Sequence, residues 1–260
     1  MAPADNTARA GLSSRLLATR LGLTAWQLRL AWEHGLMPEP DLPEGRWSTD
    51  AADRCAERVE AVKTAFGEDA PLGAERAAAR LAARVKLDVE RADVEVLVAQ
   101  DALEVVGRYR GHPLYLMRDL DALAPAVVAK VVRARKGILG DSVDPGGAAR
   151  ILQWPRGTFE RVVAERGLTP DRLGRYALAD VQALADDRAL KARVTKEHRH
   201  AVLLKAEREE ARQQANLREW IRACNAFLDR ETSAPPPFPA LRRAMQALIA
   251  ARSITTAQDP

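Results

Sequence analysis

Residues Leu16 to Glu57 read LLATRLGLTAWQLRLAWEHGLMPEPDLPEGRWSTDAADRCAE, and the rest of the chain is understood from this stretch. Apolar residues recur at helical spacing from Leu16 to Leu36, with a break at Gly22-Leu23-Thr24. Glycine suits the end of one helix and threonine the N-cap of the next. Gly35-Leu36 closes the second helix, Pro38 follows it, and Gly45-Arg46-Trp47 makes a short basic-aromatic tail. Helical spacing then resumes from Ala51 to Phe66.

The same order returns in GGAARILQWPRGTFERVVAERGLTPDRLGRYALADVQAL, Gly146 to Leu184. Ala148 and Ala149 stand where Ala18 stood, Gly167-Leu168 where Gly35-Leu36 stood, and Gly174-Arg175-Tyr176 where Gly45-Arg46-Trp47 stood. A looser copy runs from Gly73 to Leu123. Its best-preserved part is a β-hairpin, with Glu104 to Arg110 and Leu114 to Met117 as strands around Gly111-His112-Pro113. A shared order of this length marks an internal repeat. The divisions that follow are 1–70, 71–140 and 141–186 for the three copies and 187–260 for a helical C-terminal region.

Composition bounds the function. In 260 residues, 47% hydrophobic and 29% charged side chains describe a folding chain and not a disordered one. No apolar run reaches the roughly 18 residues of a membrane span, and the N-terminal stretch lacks a signal peptide's apolar segment, so a cytoplasmic location is expected. Cys55 and Cys224 belong to no paired spacing and read as small core residues. The 40 basic residues against 36 acidic ones, with a pI near 9.3, permit a nucleic-acid partner without demanding one. Lysine occurs at seven positions only, so the positive charge is mostly arginine, which suits phosphates and guanine edges, although GC-rich codon usage gives the same bias.

The first copy resembles the DNA-binding module of the MerR and excisionase-like winged helix-turn-helix families. The matching residues are Gly22-Leu23-Thr24 at the turn, Leu28-Arg29 in the second helix, Gly35-Leu36 at its end, and Arg46-Trp47 in the wing. The third copy departs where Trp154-Pro155 replaces the turn and Phe159-Glu160 replaces Leu-Arg. The tandem arrangement is also similar to that of actinobacterial proteins carrying two such modules. The resemblance implies a mainly α chain of tandem winged helix-turn-helix modules with short β-hairpin wings, ending in a long helix or helical hairpin. It implies binding of double-stranded DNA, with transcriptional regulation as the role and the nucleoid as the place.

Read residue by residue, the major-groove helix of the first copy has Thr24 as its N-cap, Leu28 in the core, and Ala25, Trp26, Gln27 and Arg29 as outward candidates. Gln27 suits adenine and Arg29 a phosphate or guanine. Trp32 reads as core, while Trp26 stays open between core and groove. Arg46 belongs to the wing. In the third copy Pro155 suits a first helical turn, leaving Arg156, Thr158 and Arg161 as contacts, with Arg175 in the wing. A solvated face balanced by Glu160 and Glu165 is the alternative. In the middle copy the segment after Leu87 contains Asp88, Glu90, Asp93 and Glu95, which phosphates would repel, so its helix is not expected to enter a groove. Its hairpin offers Arg108, Arg110 and His112, and the next helix offers Lys130, Arg133, Arg135 and Lys136 as a phosphate patch or as plain surface.

Beyond Asp186, apolar stripes at Leu217, Trp220, Ile221, Cys224, Phe227 and Leu228 and at Phe238, Leu241, Met245, Leu248 and Ile249 flank a proline break. They predict either an antiparallel helical hairpin within one chain or a homodimer through these helices. No phosphate cradle, paired-cysteine pattern or His-Glu-x-x-His helix occurs, so neither cofactor nor metal nor enzymatic activity is expected. The competing functional readings are a protein-interaction scaffold of degenerate modules and a nucleoid or recombination accessory protein.

Overall fold

The computed structural model describes residues 11–257. The chain is mainly helical, with thirteen α-helices and five short strands among the described residues. It divides into two compact units, one ending at Ala185 and the other starting at Asp186. The first ten residues, part of the first predicted stretch, lie outside the described residues.

The first unit repeats one backbone course three times. Helices α1 (Ser14–Leu21), α5 (Ala74–Val85) and α9 (Pro145–Leu152) each end on a left-handed residue: Gly22, Lys86 and Gln153. After a short turn come α2 (Ala25–Glu33), α6 (Arg91–Ala99) and α10 (Arg156–Arg166), each followed by another left-handed residue, Gly35, Asp101 and Gly167. The amides of Leu36, Ala102 and Leu168 then bond back to the carbonyls of Ala31, Leu97 and Val163, which satisfies the open helix ends.

Each course closes on itself through an aromatic residue. Trp47 pairs antiparallel with Leu12, just before α1. Tyr115 pairs with Leu72, and Tyr176 with Val143. The strands involved are β1 (Leu72–Gly73), β2 (Gly107–Tyr109), β3 (His112–Tyr115), β4 (Ser142–Val143) and β5 (Tyr176–Ala177), with β3 between β1 and β2 and β4 beside β5. A third helix starts two residues after each aromatic: α3 (Thr49–Ala56), α7 (Met117–Ala122) and α11 (Leu178–Asp186). The connecting helices α4 (Val59–Phe66) and α8 (Pro125–Lys136) lead into the next copy. The middle hairpin turns at Arg110-Gly111, both at positive φ as a two-residue turn of this kind requires. His112 and Pro113, expected in the turn, therefore belong to β3.

The copies share cores instead of standing apart. Leu17, Leu28, Leu30, Trp47, Cys55, Val62 and Phe66 form the first core together with Val106 and Leu116 of the middle copy. Gly107 makes this possible, because a Cβ there would lie 2.6 Å from Leu30 Cδ2. Arg118 donates to the carbonyls of Thr64 and Ala65 and so caps α4 from α7. The predicted boundary near residue 70 is thus a break in the repeat but not in the core.

Two tryptophans exchange the expected roles. Trp47, read as part of a wing, is buried and donates from its indole to Pro38 O at 3.1 Å. Trp32, read as core, is 40% exposed and meets Trp47 edge-on. Trp26 is half-buried against the first core. Of the cysteines, Cys55 is buried and Cys224 half-buried.

The second unit is a helical hairpin of α12 (Arg188–Leu228) and α13 (Phe238–Thr256). Trp220 packs on Phe238 near the connection, and Arg252 pairs with Glu210 at 2.9 Å farther along, so the helices run antiparallel. The apolar stripes meet only in part within this hairpin: Leu217, Trp220, Cys224, Leu241 and Leu248 are half-buried, while Ile221, Leu228, Met245 and Ile249 stay exposed.

Candidate nucleic-acid interface

Thr24 caps α2 as predicted, accepting from the Gln27 amide at 3.3 Å, while Gln27 Oε1 accepts from the Thr24 amide at 2.9 Å. Thr24 itself stays exposed, as does Ala25. The reciprocal capping overturns the expectation for Gln27. Its side chain is 4% exposed, and Nε2 donates to Gly67 O at 2.6 Å, so no amide edge is free for adenine.

Arg29 does reach the edge of α2, but toward the middle copy. Its Nη1 donates to Arg108 O at 3.0 Å, its guanidinium lies 5.8 Å from the Tyr109 ring, and Glu33 is 3.7 Å away. Arg110 approaches the same ring at 5.4 Å, and Arg108 Nη1 donates to Gly111 O at 3.2 Å. The hairpin is held against α2 from the other side by His34, whose Nε2 lies 2.6 Å from Val106 O. Arg29 and Arg110 thereby flank the Tyr109 ring, which is 54% exposed, while Arg108 stays tied to Gly111 of its own hairpin, and exposed His112 sits opposite Tyr109 across the strand pair. Guanidinium groups over an aromatic face gain from the ring quadrupole and keep donors available for phosphate oxygens. Arg29 as a freely projecting base reader is corrected: it is half-buried and tied to the hairpin.

Arg46 is exposed and pairs with Glu44 at 3.4 Å. In the third copy Arg156 pairs with Glu160 at 2.8 Å and Arg161 with Glu165 at 2.6 Å, the balanced face weighed above. Exposed pairs of this kind contribute about 0–1 kcal/mol, so they compete weakly with a phosphate. Thr158 is half-buried. Arg175 is corrected: Nε donates to Ser142 Oγ at 2.7 Å and Nη2 to Ser142 O at 2.8 Å, so its guanidinium fastens β5 to β4.

The expected patch on α8 is also corrected. Arg135 binds Asp93 at 2.7 Å and Lys136 binds Asp88, while Arg150 of α9 reaches Asp88 at 2.6 Å. Only Lys130 and Arg133 of that group remain exposed outside this cluster. Asp88 is 2% exposed and the Lys136 side chain 7%. Burial acts to raise the Asp88 carboxyl, but the hydrogen bonds from Lys136 and Arg150 outweigh it and hold the group below its ordinary value. The hydrogen bond to Asp93 raises Arg135 further. Of the acidic residues read as repelling phosphate, Asp88 and Glu90 therefore anchor the middle copy to Arg150 of the third, Asp93 holds Arg135 within the middle copy, and Glu95 stays exposed beside Arg91. Two sequence signals pointed there: a carboxylate between apolar Leu87 and Val89, and paired glycines inside a helix. A Cβ on Gly147 would lie 2.5 Å from the Asp88 carboxylate carbon.

Charge is divided unevenly along the sequence. The 26 basic and 26 acidic residues up to Ala185 cancel, and the excess of 14 over 10 lies from Asp186 onward. Among the described residues no helix is long and apolar enough to cross a membrane. Comparison with protein-family models, curated proteins and solved structures finds no match to this chain.

Proposed function

We propose that the chain binds double-stranded DNA as a transcriptional regulator, its three repeated courses serving as winged helix-turn-helix modules of the MerR and excisionase-like type. The observation that carries this reading is the placing of Arg29 and Arg110 over exposed Tyr109, on a hairpin that also carries Arg108 and lies beside α2. In this reading the hairpin of the middle copy acts as the wing for the helix of the first. Arg156 and Arg161 on α10 supply a second contact by exchanging their glutamate partners for phosphates. Exposed Ile221, Leu228, Met245 and Ile249 on the second unit support a homodimer through these helices.

The test is a fluorescence-anisotropy titration of random duplexes across about 50–200 mM salt, where phosphate contacts require a steep fall in affinity. Arg108→Ala/Arg110→Ala should flatten the dependence of log affinity on log salt by about 2. A wild-type chain that binds no duplex at the low-salt end sinks the proposal. The zero charge balance up to Ala185 favours a second reading, a protein-interaction scaffold, and that same result would support it.

A further inference from the structure

We propose that the opening turns of α12, Arg188 to His200, form a separate face for the phosphate backbone of a nucleic-acid duplex. This deepens the DNA-binding reading and rests on it, but it places the contact on residues that the repeat does not contain.

The segment RALKARVTKEHRH holds Arg188, Lys191, Arg193, Lys196 and Arg199 against the single acid Glu197. Arg193 lies 3.8 Å from Glu197. Arg188, Lys191, Lys196 and Arg199 are exposed and have no ion pair among the described residues. Successive residues of a helix are about 100° apart, so the five cations occupy an arc of roughly 200°. Leu190 and Val194, both buried, fall in the middle of the remaining arc. His198 and His200 are exposed in the same turns.

Several basic groups elsewhere are compensated. Arg135, Lys136 and Arg150 are bound by Asp88 and Asp93, and farther along α12 Arg212 pairs with Glu209 at 2.8 Å. Acidic residues return at Glu207, Glu209 and Glu210, which ends the basic face. The segment therefore carries concentrated charge on the part of the chain where the net charge resides. Its length, about 18 Å at the helical rise, lies alongside a duplex that carries one charge per roughly 1.7 Å of axis. A lipid surface fits less well, because the exposed residues between Arg188 and Ala201 include no large apolar side chain to enter a bilayer.

The experiment compares the full chain with Lys191→Gln/Lys196→Gln/Arg199→Gln in the same duplex titration, using circular dichroism to confirm retained helix. Three lost phosphate contacts should flatten the salt slope by about 2.7, so the loss of affinity between about 50 and 200 mM salt becomes about 40-fold smaller. Lys191→Arg/Lys196→Arg should keep the wild-type slope. An unchanged slope in the glutamine variant, with Arg108→Ala/Arg110→Ala still weakening binding, overturns the α12 face and leaves the DNA-binding reading standing. Flattening by the α12 variant alone supports the face and removes the Tyr109 cluster as the contact. Wild-type protein that ignores duplexes but floats with phosphatidylcholine vesicles carrying phosphatidylserine overturns both in favour of a membrane partner.

Discussion

Asp88→Asn removes one charge from a cluster that joins the middle and third copies, and the structure sets the size of the effect. Lys136 loses its partner while remaining buried, whereas Arg150, about one-third exposed and 3.7 Å from Glu90, has another carboxylate within reach. The cost therefore falls on Lys136, and breaking a buried pair by removing one member typically costs about 3–5 kcal/mol. A unit of this size loses about 2–4 °C in Tm per kcal/mol, so the expected decrease is about 6–20 °C. Lys136→Met in the same chain removes the stranded charge and should recover much of the loss. A double-mutant cycle by urea denaturation should then give a coupling energy of about 1–3 kcal/mol. The pH dependence has a definite sign. A carboxyl depressed in the folded state contributes fully above its unfolded pKa, and its contribution disappears as pH falls through the folded value. Wild type and Asp88→Asn should therefore differ at neutral pH and converge below the ordinary carboxylate range. Additive single mutants, or a difference that persists in acid, would refute the assignment of Asp88 and Lys136 as mutual partners.

Gly147→Ala should destabilise the first unit by about 1–3 kcal/mol, since its Cβ would meet the Asp88 carboxylate and come within 2.6 Å of Val143 Cγ2; an unchanged denaturation midpoint contradicts that packing. Gln27→Ala should cost about 1–2 kcal/mol through loss of the cap and the bond to Gly67, without changing which duplex sequences are preferred, as competition titrations would show.

Local features of the fold were legible in the sequence because they depend on neighbours in the chain. Thr24 as a cap, Leu28 in the core, the order of helix and turn, and the hairpin all follow from spacing and turn chemistry. The site was legible as residue types but not as geometry. Arg29 finds its partner 79 positions away, Gln27 finds Gly67 40 away, and Asp88 finds Arg150 62 away. Helical periodicity says which residues share a face; it does not say that another copy's hairpin will cover part of that face. Trp32 and Trp47 show the same limit, because their bulk predicts burial for both while the approach of Leu12 to Trp47 selects only one.

The completion of the first core by Val106 and Leu116 governs how this chain can be cut or rearranged. A fragment stopping near residue 70 would face water where Leu30 now meets the middle hairpin, and a chain with its copies reordered would present each helix with the wrong lid. The repeats are consequently links in a ratchet: each must follow its own predecessor, and only a cut after Ala185 follows a division already present in the folded protein.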